Sequence, residues 1–336
     1  MFIPFPFSHS SATESLNVFF PTFPYEKLAE YTAALLSISC MLYLGIADDL
    51  MDLKWRYKVF LPAIATVPIL TMYSVSGGVT SVIVPIPLRF LFGTIVDLKG
   101  FFYLYMTMMT TFCTNSVNIL AGVNGLEAGQ TLVISVFMVI HNLCQILFFQ
   151  DVEPVGNHLL SLFLVLPLIG VTSALLKFNW YPAKIFVGDT FCYFGGMTLA
   201  VAGILGHCSK TMMLFFIPQL FNFLYSIPQL FKIIPCPRHR LPKLDEKTGL
   251  MLPSMTKLEN KVFSGFVLRI LLFFRAIRLE YINDELHCNN LTLINLVLVK
   301  FGPMTELKLT KTMLCIQIVS NLFGFFVRYQ LAHLLF

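Results

Sequence analysis

Eight apolar segments of membrane-spanning length constrain the fold of this 336-residue chain more than any other feature. They lie at about 31–47, 59–75, 101–121, 131–149, 159–176, 190–206, 211–234 and 312–327. A helix of about 20 apolar residues can cross the hydrocarbon core of a bilayer. Since 57% of the residues are hydrophobic and only 12% are charged, a single water-facing core could not bury this apolar surface. We therefore predict an all-α polytopic membrane protein with about eight transmembrane helices.

The distribution of charge divides the chain into three regions. Residues 1–234 are predicted to contain the first seven spans and the loops of an active site, and residues 291–336 the last span. Between them, residues 235–290 are richer in charge and are predicted to form one structured loop outside the membrane. The eight cysteines are scattered and include no CxxC pair, which argues against a disulfide framework and against a zinc site.

Basic residues indicate which loops face the cytosol. If the spans alternate in direction, the loops after the first, third, fifth and seventh spans share one side of the membrane. Most Lys and Arg residues lie in these loops, whereas the loops on the other side contain little beyond Arg89, Lys99 and Lys210. The positive-inside rule therefore places the basic loops in the cytosol.

Three carboxylates end the first span. Asp48 and Asp52 share one helix face at i,i+4 spacing, and Asp49 lies between them in sequence. Carboxylates this close repel one another, so they need a divalent metal, the basic residues that follow, or both. Those basic residues are Lys54, Arg56 and Lys58. The alternative is a solvated helix end with incidental acids.

Asparagines and glycines end the third span. Asn115, Asn118 and Asn124 lie there together with three glycines. Amide oxygens can bind a hard metal or contact a base, and glycine lets the backbone approach a phosphate. The alternative is structural, because Asn can bond between helices and Gly permits close packing or a turn.

Two further polar clusters follow the fifth and seventh spans. Asp189 opens the sixth span, where it can join a metal site or cap its own helix. The ring of Phe186 can stack on a substrate or face lipid. Arg238 and Arg240 flank His239 among prolines, and two guanidiniums can clamp a phosphate or contact lipid headgroups. His239 can carry a proton, donate a hydrogen bond or lie on the surface.

All four polar clusters follow odd-numbered spans, so they are predicted to share the cytosolic face. A metal held by acids and amides beside a cationic clamp indicates chemistry on a phosphorylated substrate at the membrane surface. The sequence contains no P-loop and no dinucleotide-binding glycine fingerprint. The second hypothesis is a transporter or nucleotide-sugar carrier, but such proteins usually place polar groups near the midplane and often contain inverted repeats.

Four motifs, in this order, resemble those of the membrane phosphoglycosyltransferases, which transfer a sugar phosphate from a UDP-sugar to a polyprenyl phosphate. The motifs are ADDLMDLKWRYK, NSVNILAGVNGLEAGQ, NWYPAKIFVGDTFCYF and PCPRHRLP. Two of them, PCPRHR and NILAGVNGLEAGQ, resemble motifs of the eukaryotic branch of this family. That branch acts on UDP-N-acetylglucosamine and dolichyl phosphate. The resemblance implies transfer of N-acetylglucosamine 1-phosphate, which yields N-acetylglucosaminyl-diphosphodolichol and UMP and begins lipid-linked oligosaccharide assembly for N-glycosylation.

The resemblance also implies a role for each candidate residue. Asn118 and Asp189 would be the ligands of Mg²⁺. Asp48 and Asp49 match the family's acid pair, either as a base toward the lipid phosphate or as residues that position metal and substrate. Asp52 stands where Asn is usual in the eukaryotic branch, and we expect this substrate-binding position to tolerate the change. The remaining implied contacts are Lys58 and Arg238 with the diphosphate, Asn124 and Phe186 with the uracil, and His239 and Arg240 with the N-acetylglucosamine.

The resemblance further implies a ten-helix homodimer in the endoplasmic reticulum membrane, in contact with lipid, with no nucleic-acid partner and with its active site facing the cytosol. The family's first two helices, and a KxPxxxG-like stretch between them, have no counterpart before FIPFPF, which directly follows Met1. We therefore expect part of the nucleotide pocket to be missing. An N-terminally truncated, inactive paralogue or an incomplete gene model is the alternative to an active enzyme.

Overall fold

Helices dominate the computed structural model, which describes residues 25–51, 53–148, 152–237, 239–258, 262–282 and 285–335. The helices are α1 (Tyr25–Met51), α2 (Trp55–Val75), α3 (Arg89–Phe92), α4 (Gly100–Ile119), α5 (Leu126–Phe148), α6 (Val152–Asn179), α7 (Asp189–Leu205), α8 (Ser209–Phe215), α9 (Ile217–Leu230), α10 (Val262–Phe273), α11 (Leu293–Phe301), α12 (Glu306–Phe326) and α13 (Ala332–Leu335). A π-helical segment, Val327–Leu331, joins α12 to α13. Each of the eight predicted apolar segments lies largely within one helix or one pair of successive helices.

Short strands occur between α2 and α4 and between α9 and α11, so the chain is mostly helical rather than all-α as predicted. The strands are β1 (Ser81–Ile83), β2 (Ile95–Asp97), β3 (Lys243–Asp245), β4 (Leu250–Leu252), β5 (Met255–Lys257), β6 (Leu279–Ile282) and β7 (Glu285–Asn289). β1 pairs with β2, β3 pairs with β4, and β7 lies between β5 and β6, all antiparallel. Five of the strands therefore lie in the charged region between α9 and α11.

Four helical segments in the described part of the chain are long and apolar enough to cross a membrane. They are Tyr25–Met51, Leu126–Phe148, Val155–Asn179 and Glu306–Leu331. The bent pair α8 and α9 forms a fifth if it is counted as one span, and Phe60–Val75 and Asp189–Leu205 are shorter apolar helices. The chain therefore has the composition of a multi-pass membrane protein, while the total of eight crossings stays a prediction.

The seventh predicted span differs from the expectation because it bends by 67° between α8 and α9. Pro218 lies in the first turn of α9. Proline lacks the backbone donor that would continue the preceding helix, and its ring clashes with the turn before it. The carbonyl oxygen of Phe215, at the end of α8, instead accepts a hydrogen bond from Gln317 Nε2 at 2.8 Å.

Helix α7 forms the centre of the bundle, where 13 of its 17 residues are buried. It packs against α1, α4 and α6. Glycines allow this close approach: a Cβ on Gly196 would lie 2.5 Å from the carbonyl oxygen of Cys113, and one on Gly45 would lie 2.5 Å from Thr190 Cα. The ends of α1, α4 and α7 can therefore meet directly, without long side chains between them.

A buried hydrogen-bond network fixes α12 to the rest of the bundle. Gln219 Nε2 donates to Gln130 Oε1 and to Gln317 Oε1, both at 2.7 Å. These three side chains belong to α9, α5 and α12, and all three are buried. Because polar groups within an apolar bundle must bond to one another, this network holds the three helices in one register.

We predict that Gly196→Ala destabilises the protein and that Gly170→Ala does not. The new methyl group on Gly196 would collide with the backbone of α4, and such overpacking costs about 1–3 kcal/mol. A Cβ on Gly170, in the middle of α6, would meet no atom within 4 Å. Thermal unfolding of the two variants in detergent measures the difference. Equal melting temperatures would show that the contact between α4 and α7 tolerates added volume.

Candidate active site

Four helix ends meet at one place on the bundle: the C-terminal ends of α1 and α4 and the N-terminal ends of α2 and α7. Asn118 Nδ2 donates to Asp189 Oδ1 at 2.6 Å, although the two residues lie 71 positions apart. Lys58 Nζ lies 2.9 Å from Asp48 Oδ2 and 3.3 Å from Asp189 Oδ2. The structure thus brings the candidate residues of the first, third and fifth spans into direct contact.

Asp48 points into the protein, where its side chain is fully buried. Its carboxylate binds Lys58 and also accepts hydrogen bonds from Leu53 N at 3.0 Å and from the Tyr193 hydroxyl at 2.9 Å. A buried carboxylate is stable as an ion only when it is paired and hydrogen-bonded. Asp48 therefore holds the Lys58 ammonium in place from the interior side.

Asp49 caps the N-terminus of α7, although it belongs to α1. Its two carboxylate oxygens accept hydrogen bonds from Asp189 N at 2.8 Å and from Thr190 N at 3.0 Å. A Cβ at Gly188 would lie 2.5 Å from Asp49 Oδ2, so this contact requires glycine there. Asp189 consequently does not cap its own helix, and its carboxylate faces Asn118 and Lys58 instead.

The charges at this site leave room for a divalent cation. Among the described side chains, the three carboxylates of Asp48, Asp49 and Asp189 are accompanied by one ammonium, that of Lys58, which contacts Asp48 and Asp189. The Asp189 side chain is 24% exposed. Asn118 turns its amide nitrogen toward Asp189. The amide must therefore rotate by about 180° before its oxygen can bind the same ion as the Asp189 carboxylate.

The few oxygen ligands at this site suit Mg²⁺ better than they suit a metal whose ligands all come from the protein. In the described part of the chain, no three His, Cys, Asp or Glu side chains converge into a metal site. Mg²⁺ is commonly bound through one or two carboxylates and takes its other ligands from substrate phosphates and water. Asp189 and the amide of Asn118 fit that pattern.

The glycine-containing loop after α4 uses much of its backbone for contacts within the protein, so the interpretation that it approaches a phosphate stays a prediction. Three of its N–H groups already donate to side chains from three different helices. The contacts are Gly122 N with Glu127 Oε1 at 2.8 Å, Asn124 N with Glu306 Oε1 at 2.8 Å, and Gly125 N with Asn179 Oδ1 at 2.9 Å. The glycines serve the turn, because φ is +105° at Gly122 and +81° at Gly125, a region that favours glycine.

The asparagines that end the third predicted span have different surroundings. Asn115 Nδ2 donates to the carbonyl oxygens of Thr111 at 2.8 Å and Lys58 at 3.4 Å, so it supports the backbone of α2 beside the site. The half-buried side chain of Asn124 makes no hydrogen bond to the described residues. Asn124 is therefore the asparagine with free amide groups for a ligand.

Asn179, the buried last residue of α6, is a site residue that the sequence analysis missed. Its Oδ1 accepts from Gly125 N, and its Nδ2 donates to the carbonyl oxygen of Ile185 at 3.0 Å. One side chain thus connects the loop of Asn124 to the loop of Phe186. The Phe186 ring is 89% exposed beside this connection. The available signal was an asparagine at the edge of an apolar span, the criterion that selected Asn118.

Two of the predicted site residues, Asp52 and Arg238, lie outside the residues that the structure describes. His239, next to Arg238, is exposed. Among the described residues, none forms a hydrogen bond or ion pair with His239 that would assign it a role. The position of this segment is instead defined by the residues that follow it.

Leu241 brings the polar cluster of Arg240 beside the asparagine and glycine loop that follows α4. The carbonyl oxygen of Arg240 accepts from Asn295 Nδ2 at 2.8 Å. The Leu241 side chain covers Gly122, where an added Cβ would lie 2.1 Å from Leu241 Cδ2. Arg240 Nη1 is buried and has no hydrogen-bond partner among the described residues. Arg240, which has a guanidinium donor without a partner among the described residues, therefore precedes a residue that contacts the asparagine and glycine loop.

Comparison with known proteins identifies the family. The family model described as glycosyl transferase family 4 matches residues 31–207. Three curated relatives share the name UDP-N-acetylglucosamine--dolichyl-phosphate N-acetylglucosaminephosphotransferase. The relative from Schizosaccharomyces pombe is 50% identical over 94% of this chain and 72% of its own length. The values are 48%, 94% and 71% for Saccharomyces cerevisiae, and 44%, 91% and 70% for Dictyostelium discoideum.

We predict that Lys58→Met strongly destabilises the protein. A residue that only contacts substrate, the role that the sequence predicts for Lys58, would not have this effect. The substitution leaves the buried Asp48 carboxylate without its cation, and losing one partner of a buried ion pair costs roughly 3–5 kcal/mol. The double variant Asp48→Asn/Lys58→Met should recover most of the melting temperature but none of the activity. Lys54→Met, at the exposed position that directly precedes α2, is the control. An unchanged melting temperature for Lys58→Met would show that Leu53 and Tyr193 suffice for Asp48.

Proposed function

The chain belongs to glycosyl transferase family 4, and we propose that it transfers N-acetylglucosamine 1-phosphate from UDP-N-acetylglucosamine to dolichyl phosphate. The products are N-acetylglucosaminyl-diphosphodolichol and UMP. The names of the relatives support the choice of substrates. The single observation that best supports the chemistry is the contact between Asn118 and Asp189 beside the Lys58 ammonium. Oxygen ligands next to a fixed positive charge suit a metal-bound diphosphate.

In this proposal an oxygen of dolichyl phosphate attacks the β-phosphorus of UDP-N-acetylglucosamine. The bond from that phosphorus to the bridging oxygen breaks, and its electron pair leaves with UMP. Asn118 and Asp189 would hold Mg²⁺, which when bound neutralises negative charge on the diphosphate and on the departing UMP. Lys58 lies within 3.3 Å of Asp189 and adds a second positive charge at the same place. Arg238 would contribute a further guanidinium to the diphosphate.

The geometry favours positioning roles for the acid pair over a role as base. Asp48 is engaged with Lys58 and Tyr193, and Asp49 is engaged with the N-terminus of α7. Neither carboxylate is free to take a proton from a lipid phosphate. A phosphate monoester also needs no base near neutral pH, because its second pKa is about 6 and it already carries nucleophilic oxygens. Asp48 would therefore orient Lys58, and Asp49 would orient Asp189.

The remaining candidates would surround the rest of the substrate. The free amide of Asn124 and the exposed ring of Phe186 would contact the uracil, and both lie on loops that Asn179 connects. Exposed His239 and the vacant donor of Arg240 would contact the N-acetylglucosamine. Asp52 would also take part in substrate binding.

The proposed setting is the endoplasmic reticulum membrane, with about eight membrane-crossing helices, lipid around the bundle and a homodimeric assembly. Large exposed apolar side chains on the helices, such as Leu36 and Phe60, support contact with lipid. The basic residues near the site support a cytosolic orientation. The region 235–290 would then be a cytosolic loop over the active site, and residues 291–336 would complete the bundle.

We predict that Asp189→Asn lowers turnover by at least about 100-fold, because a lost metal ligand weakens stabilisation of the transition state by more than about 2.7 kcal/mol. The assay combines radiolabelled UDP-N-acetylglucosamine with dolichyl phosphate and Mg²⁺ in detergent, with an excess of chelator in a parallel sample. Asp97→Asn is the matched control, since Asp97 lies in the β1–β2 hairpin, away from the site. Lipid-linked product from Asp189→Asn at the wild-type rate, or undiminished product with chelator, would contradict the proposed mechanism.

A further inference from the structure

Two side chains of helix α12 bind the backbone of Asn124, one at its N–H group and the other at its carbonyl oxygen. Glu306 Oε1 accepts a hydrogen bond from Asn124 N at 2.8 Å, across 182 positions of sequence. The Thr310 hydroxyl donates to Asn124 O at 2.9 Å. Glu306 and Thr310 are spaced i,i+4, so they project from one face of α12. Asn124 is therefore gripped on its donor and its acceptor side by two side chains one turn apart.

The helix that provides this grip is itself fixed. Thr305 caps its N-terminus by accepting a hydrogen bond from Lys308 N at 3.4 Å. Further along, Gln317 bonds to Gln219 inside the bundle at 2.7 Å. Thr310 is fully buried. A helix anchored at both of these points can set the position of the Asn124 backbone with little freedom.

The grip uses only the backbone of Asn124 and leaves its amide side chain available. An amide can offer both a donor and an acceptor to the edge of a pyrimidine base. Hydrogen bonds weaken steeply when their angle or length changes, so the affinity for a base depends on how firmly the amide is positioned. The contacts that Glu306 and Thr310 make with the Asn124 backbone therefore control how the Asn124 amide meets a base. Glu306 and Thr310 themselves do not touch the base.

We propose that Glu306 and Thr310 form a clamp that positions Asn124 and thereby sets the affinity of the site for the uridine nucleotide. This rests on the proposed function, which assigns Asn124 to the uracil. Both clamp residues are positioning residues, and both lie outside the segment 31–207 that matches the family model. The clamp thus makes the last long helix of the chain part of the nucleotide site.

Kinetics of the 336-residue chain test the clamp. Glu306→Ala and Thr310→Val each remove one hydrogen bond and should raise KM for UDP-N-acetylglucosamine about tenfold, with a much smaller change in kcat. The uracil lies far from the reacting phosphorus, so its contacts contribute equally to the ground state and the transition state. KM for dolichyl phosphate should not change. Thr310→Val preserves the shape of the side chain and serves as the test if Glu306→Ala does not fold.

Conservative variants separate positioning from general damage. Glu306→Gln keeps an acceptor oxygen and Thr310→Ser keeps a hydroxyl, so both should remain near the wild-type KM. Thr312→Val is the matched control, because the Thr312 hydroxyl donates to Lys308 O within its own helix at 2.8 Å. If the conservative variants behave like Glu306→Ala and Thr310→Val, the hydrogen bonds are not what positions Asn124 and the proposal is wrong.

Binding of UMP gives a second measurement that does not require turnover. UMP should raise the melting temperature of the wild type, Thr310→Ser and Thr312→Val, and should raise that of Thr310→Val and Glu306→Ala much less. If the wild type binds UMP but makes no product, the proposed function fails, and the clamp is still supported when UMP shifts Thr310→Val and Glu306→Ala less than the wild type. If Thr310→Val and Glu306→Ala have the KM of the wild type and the same rise in melting temperature with UMP, the clamp is refuted and the proposed function is not affected. A wild type that does not bind UMP would refute both.

Discussion

The ammonium of Lys58 is the interaction on which the rest of the site depends, because it joins carboxylates from two different helices. Asp48 on α1 is buried and can remain charged only with a cation beside it, and Lys58 supplies that cation from α2. The same ammonium lies 3.3 Å from Asp189 at the start of α7. Close packing at Gly45 makes this convergence possible, since any side chain there would push α7 away from α1.

Parts of the chain that lie far apart in sequence contribute differently to the site. Asp48, Lys58, Asn118 and Asp189, which contact one another, come from helix ends within residues 31–207, the segment that matches the family model. The loop of Asn124 depends on side chains from three other helices, namely Glu127, Asn179 and Glu306. Because each contact satisfies a backbone N–H that would otherwise need water, the loop is held in one conformation before any substrate arrives.

The sequence predicts the helices and the membership of the site better than the role of each side chain. Apolar length places the helices, and alternation of the spans places Asp48, Asn118 and Asp189 at one face. Pro218 even marks the bend in the seventh apolar segment. The capping of α7 by Asp49 was not predictable, because it depends on how closely α1 and α7 pack. The contact of Glu306 with Asn124 spans 182 positions, and no local pattern indicates such a pairing.

The adjacent acids Asp48 and Asp49 illustrate why a motif alone does not define a mechanism. Successive residues of a helix point about 100° apart, so the two carboxylates cannot face the same group. Asp48 turns inward to Lys58, whereas Asp49 turns outward to the first N–H groups of α7. Substitution of either acid disturbs Asp189, in one case through the Lys58 ammonium and in the other through the helix that carries it. A loss of activity at either position therefore does not identify a catalytic base. The position of Asp189 in the two variants would distinguish a displaced Lys58 ammonium from a displaced α7.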